Sequence, residues 1–187
     1  GAGCQRLKLD HGSAHAASVF VYGTGTPKDA DLPAFLWKGT NAANIANVYK
    51  GSVGVAVEAG DTATIATLRI GFQQSVTADV TMRCGSGTTL TTINQTGGTL
   101  EVNSAFTTLT KADGITTIKG TGAVTTINHD GGTLYYESSG TITTLNANGT
   151  SIVDFSRDLR ARTITNATYS GAPTIKDPQI TVTYTNP

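Results

Sequence analysis

One short string recurs along this chain: a hydrophobic residue, two threonines, another hydrophobic residue. It reads Leu90-Thr91-Thr92-Ile93, Phe106-Thr107-Thr108-Leu109, Val124-Thr125-Thr126-Ile127 and Ile142-Thr143-Thr144-Leu145, at nearly even intervals. A half-step copy, Ile115-Thr116-Thr117-Ile118, lies between the second and third. A fixed short period means one structural unit repeated along an axis. Each unit holds a second short strand after a corner marked by Gly97-Gly98, Asp113-Gly114, Gly131-Gly132 or Asn148-Gly149. Glycine and asparagine accept the positive φ that such corners demand.

Two architectures use such a pattern, an antiparallel meander and a parallel β-solenoid. Hairpin partners in a meander have no reason to resemble one another. In a solenoid each coil stacks on the last at about 4.8 Å, so equivalent positions form ladders and like residues recur. The expected fold is therefore an all-β parallel solenoid (β-helix) of about 18 residues per coil. Threonines would form outward or corner ladders, and Ile, Leu and Val inner stacks. The register is imperfect: the first interval is shorter than the others, and the last coil slips. Asp154 falls where Val102 and Tyr136 stand in earlier coils, and a bulge would let Val153 and Phe155 point inward.

The repeat divides the chain. Residues 61–155 hold the coils, residues 1–60 a less regular β region that caps or docks, and residues 156–187 a last coil and cap, all within one continuous domain. In the first region residues 6–9 and 17–22 read as strands and residues 23–31 as a loop. Residues 32–37, around Pro33, read as an edge strand or docking segment; a helical turn over residues 41–47 is disfavoured, because Val48-Tyr49 and residues 52–57 resume a strand pattern. Residues 64–72 and 78–84 are expected strands joined by a turn at 73–77. Charge returns at Arg157-Asp158-Leu159-Arg160-Ala161-Arg162, where a cap against end-to-end aggregation is expected.

Composition narrows the function classes. Charged residues make up 14% and formal charges cancel, which points to no nucleic-acid partner and no anionic membrane. No apolar run is long enough for a membrane helix. No signal peptide is visible, and the start at Gly1 without Met reads as that of a fragment. Two cysteines, Cys4 and Cys84, make no disulfide framework and read as buried or incidental thiols.

No catalytic motif rises above background. His11 and His15 are four apart beside Asp10, but no third ligand accompanies them, so no metal site is expected. His129 sits at a corner and reads as an exposed turn residue. The repeat carries five acids, Glu101, Asp113, Asp130, Glu137 and Asp154, for a polysaccharide lyase or hydrolase to use as acid and base. The corners are too short to build a pocket around them, so no enzyme activity and no cofactor are expected. The Arg157 to Arg162 cluster reads as a solvated cap before it reads as an anion site. Trp37, Tyr135 and Tyr136 are the aromatic candidates for sugar stacking, Trp37 and Tyr136 having core roles as the alternative.

The stretch from Thr88 to Arg162, with TTLTTINQTGGTLEVNSAFTTLTK and VTTINHDGGTLYYESSGTITTLNANGTSIVDFSRDLRA within it, resembles the Thr/Gly-rich β-solenoid regions of bacteriophage virion and tail-associated proteins and of prophage-derived repetitive proteins. The resemblance lies in composition and repeat style and transfers no functional residue. It implies a non-enzymatic structural module of a virion or extracellular surface assembly. Its partners would be further copies of itself, as in a trimer, or neighbouring virion proteins. A glycan-binding adhesin and a polysaccharide-degrading enzyme are the alternatives.

Overall fold

The computed structural model describes residues 7–10, 16–22, 33–39, 42–71 and 80–186. Cys4, His11, His15, the expected loop at 23–31 and the turn at 73–77 lie outside them. In chain order the strands are β1 Leu7–Asp10, β2 Ala16–Val21, β3 Phe35–Lys38, β4 Ala42–Val48, β5 Gly51–Val55, β6 Ala63–Ile70, β7 Val80–Cys84, β8 Thr88–Gln95 and β9 Thr99–Val102. They continue with β10 Phe106–Lys111, β11 Ile115–Ile118, β12 Val124–His129, β13 Thr133–Tyr136, β14 Ile142–Gly149, β15 Ile152–Asp154, β16 Arg162–Gly171, β17 Thr174–Lys176 and β18 Val182–Asn186. Among the described residues there is no helix.

The chain is a parallel β-solenoid. Odd-numbered strands form one nine-stranded sheet and even-numbered strands a second, each in unbroken order. Thr92 pairs with Thr108, Phe106 with Val124 and Val124 with Ile142, so each coil advances by one interval of the sequence repeat.

The Thr-Thr string is a bend rather than a flat strand. In β10 Phe106, Leu109 and Lys111 are buried while Thr107 and Thr108 both face outward. β12 and β14 repeat this. Strict strand alternation would send one threonine of each pair inside. Two consecutive outward residues instead fold the even sheet around the core. The string thus spans a bend from one inward residue to the next, which is why hydrophobic residues bracket two threonines. The half-step copy is not equivalent. In β11 Thr116 is buried, and Ile115 is 43% exposed.

The interior consists of ladders. In the even sheet, Ala46, Leu68, Ile93, Leu109, Ile127 and Leu145 stack coil on coil. In the odd sheet, Trp37, Val55, Cys84, Val102, Ile118 and Tyr136 do the same. All of these are buried. Each fully buried aliphatic side chain contributes roughly 1.5–3 kcal/mol of transfer free energy.

Three sequence expectations change. Within residues 1–60, the described strands β1 to β5 extend both sheets in register, and β3 is an internal strand between β1 and β5 rather than an edge strand. Their repeat is hidden because the connections are longer; Ala16 pairs with Ala43, and Gly51 with Val80. The Arg157–Arg162 segment does not cap an end, because β16, β17 and β18 stack beyond it. The register slip at Asp154 needs no bulge. Asp154 pairs with Tyr135 on the outward side of β15, where it is nevertheless buried. The step from Thr133 to Ile152 is longer by one than the step from Ile115 to Thr133, and the additional residue sits in the corner before β15. Val153 and Phe155 then point inward, and the Phe155 ring meets Tyr136 edge-on at 6.0 Å.

Candidate functional site

The odd sheet presents its charges in a column. Arg83, Glu101, Thr117, Tyr135, Asp154 and Lys176 succeed one another on the outer face. Lys119 Nζ lies 2.7 Å and Arg83 Nη2 3.4 Å from the Glu101 carboxylate. Burial works against the Glu101 carboxylate, yet the hydrogen bonds and charges of Lys119 and Arg83 hold it below the usual range. Arg157 lies 3.8 Å from Glu137 and places its guanidinium carbon 3.2 Å from the Tyr135 ring centroid. Asp154 accepts from the Ser156 amide and hydroxyl and lies 3.9 Å from Lys176.

The five acids of the repeat are thus occupied by neighbours. Asp113 accepts from the Gly114 amide at 2.6 Å, and Asp130 from the Asn148 side chain at 2.7 Å. Such partially exposed pairs contribute little to stability, but they fix carboxylates in acceptor roles. Of the three aromatic candidates, Tyr135 alone reaches the surface. Trp37 and Tyr136 are buried in the ladder described above, and the Tyr136 hydroxyl donates to Gly140 O at 2.8 Å. A tyrosine pair in a strand must split, one ring outward and one inward.

The charged 157–162 segment is a strap along the side of the solenoid. Arg160 pairs with Asp158 at 2.5 Å and donates to Gly120 O at 3.1 Å and Glu137 O at 2.7 Å, two earlier coils. The Arg160 hydrogen bond holds the Asp158 carboxyl down at about 2. Arg162, its side chain buried, donates to Tyr136 O, Asp158 O and Arg160 O. These arginines satisfy backbone acceptors, which leaves little for an external anion.

A polar column runs inside the even sheet where the aliphatic ladder should continue. Val48 and Ile70 are followed by Gln95, Lys111 and His129, then Ala147. All three polar members are buried. The cause lies in the corners. Gly98, Gly114 and Gly132 adopt φ of 75°, 87° and 74°, and the corners turn carbonyls inward. Gln95 Nε2 reaches Gly97 O, Gly98 O and Ile115 O, while its Oε1 accepts from the Thr116 hydroxyl. Lys111 Nζ donates to Asp113 O at 2.8 Å and Gly114 O at 2.5 Å. His129 Nε2 donates to Ile152 O at 2.9 Å. Each donor pairs groups that burial would otherwise leave unsatisfied. His129 is therefore an interior residue, not an exposed turn residue. Its place on the inward side of the strand, two after Ile127, was the available signal. Burial lowers the Lys111 pKa to about 8 and pulls His129 below its ordinary value, with the Lys111 charge adding to the latter. Cys84, free and buried in the odd ladder, is pushed up to about 12 by burial.

The even sheet's outer face is chemically different. Thr92, Thr108, Thr126 and Thr144 stack in one column. Arg69, Asn94, Thr110, Asn128 and Asn146 stack in the next. Asn146 Nδ2 donates to Asn128 Oδ1 at 2.8 Å. Among the described outward positions of the even-numbered strands β6 to β14, Arg69 carries the one charge. Charge is thus sorted between the two faces. No family model, no curated protein and no solved structure matches the chain.

Proposed function

We propose that this chain is a non-enzymatic structural module, a stiff rod segment of a virion-like or other surface assembly. The observation that carries the reading is the occupation of every repeat acid by a cation, an amide or a side-chain donor, around an interior built from stacked ladders. Acid/base hydrolysis needs a carboxylate free to meet a substrate oxygen or water; stacking needs what the ladders supply. The Thr/Gly-rich repeat style, similar to that of phage virion proteins, supports a role in such an assembly, against neighbouring proteins or further copies of the chain. The test is a panel of capsular, pectic and alginate polysaccharides assayed for new reducing ends and for unsaturated products. Absence of turnover is expected. Turnover abolished by Glu137→Ala or Asp154→Ala refutes the reading. Labelling the assembled particle with antibody to the chain tests its location, and label confined to soluble fractions counts against an assembly role.

A further inference from the structure

The Arg69 column borders a shallow groove of about 340 Å³, lined by Arg69, Asn94, Gln95, Thr96, Thr110 and Ala112. Arg69, Asn94 and Thr110 occupy successive rungs and point outward. Ala112 contributes only a methyl group beside them. Arg69 is exposed, and no described residue pairs with its guanidinium. This contrasts with Arg83, Arg157 and Arg160, each committed to a carboxylate.

We propose that this groove binds a carboxylate-bearing glycan. The Arg69 guanidinium takes the carboxylate through paired charge-assisted hydrogen bonds, for which its planar fork is suited. Asn94 and Thr110 donate to and accept from hydroxyls on the adjoining sugars. The column continues as Asn128 and Asn146, so an extended chain lying along the axis meets a new amide or hydroxyl at each rung of about 4.8 Å. The absence of other charges at the described outward positions of the even-numbered strands β6 to β14 leaves hydroxyl recognition unopposed and makes Arg69 the point that fixes register. The site is distinct from Tyr135, which lies on the other sheet, and binding here requires no turnover.

The experiment is a titration of the full chain with tetragalacturonate, followed by amide chemical shifts, with maltotetraose as the neutral sugar and acetate as the bare carboxylate. Saturable shifts at the Arg69, Asn94 and Thr110 amides with tetragalacturonate alone are expected. Arg69→Gln should weaken binding about tenfold or more, the loss of one charged contact, while Lys119→Gln, on the opposite sheet, leaves it unchanged. Folding of both variants is checked by their spectra away from the groove. Three results overturn the proposal: no saturable shift at these amides, equal shifts with acetate or maltotetraose, or shifts centred on Tyr135.

Discussion

Lys111 gives the sharpest test of the buried column. Its side chain is fully buried and its pKa stands at about 8 against 10.5 in the unfolded chain, with burial as the cause. At about 1.4 kcal/mol per pKa unit, holding the charge inside costs roughly 3 kcal/mol below pH 8. The folded pKa is the lower one, so between pH 8 and 10.5 the unfolded chain keeps a proton that the folded chain releases, and stability rises with pH. One group opposes this early. Cys84 has its folded pKa raised from 9.0 to about 12, so its contribution is present below pH 9 and is lost as pH rises through the folded value. Tyr136, raised from 10.0 to about 12, acts likewise at higher pH. The clean window is pH 8 to 9 in a Cys84→Ala background, where, among the described groups, Lys111 should add about 1 kcal/mol. Urea titrations followed by Trp37 fluorescence measure it. Adding Lys111→Met should flatten the slope. At pH 7 that substitution relieves the charge penalty but strips Asp113 O and Gly114 O of their donor, at roughly 1–3 kcal/mol for each buried group, so its net effect there is small. A slope that survives Lys111→Met, or a flat Cys84→Ala parent, means that Lys111 is not the group that releases its proton on folding.

The remaining expectations use the same ladders. His129 has a depressed folded pKa, so its contribution should fall as pH drops below the unfolded value of 6.5; His129→Gln, the residue Gln95 already supplies at this position, should remove that loss in acid urea titrations. Gly140→Ala would set a Cβ 2.0 Å from Gly122 O, and thermal melts should show destabilisation of about 3 kcal/mol or more. Ile127→Ala, in mid-ladder with neighbours above and below, should cost about 3–4 kcal/mol by urea titration, because stacked coils cannot collapse onto the hole.

The repeat made the parallel solenoid readable because stacking demands like residues at like positions, and between β8 and β14 those positions are Thr, Ile and Leu. It did not reveal β1 to β5, where longer steps such as that from Gly51 to Val80 hide the same register. It also did not separate Tyr135 from Tyr136, or Ile115 from the inward isoleucines, because similar tetrapeptides lie on a bend in one sheet and on a flat strand in the other. The buried roles of Gln95, Lys111 and His129 depend on which way a corner turns its carbonyls, a property of φ at Gly98, Gly114 and Gly132 that composition does not encode. Of the candidate contacts, Tyr135 kept its surface place, and Arg69 drew no notice because one arginine among threonines has no motif.

The additional residue before β15 has a wider meaning. Strands on both sides keep their partners while the path lengthens by one from Thr133 to Ile152, and lengthens again from Ile152 to Thr174. Length and phase are therefore uncoupled: a corner can swell without telling the neighbouring coils. A lineage carrying this fold can acquire peptide at its corners in single-residue increments, each variant still folding. An engineer can graft an epitope after Thr150, between β14 and β15, with the same freedom, provided Gly149, which opens the turn, is kept.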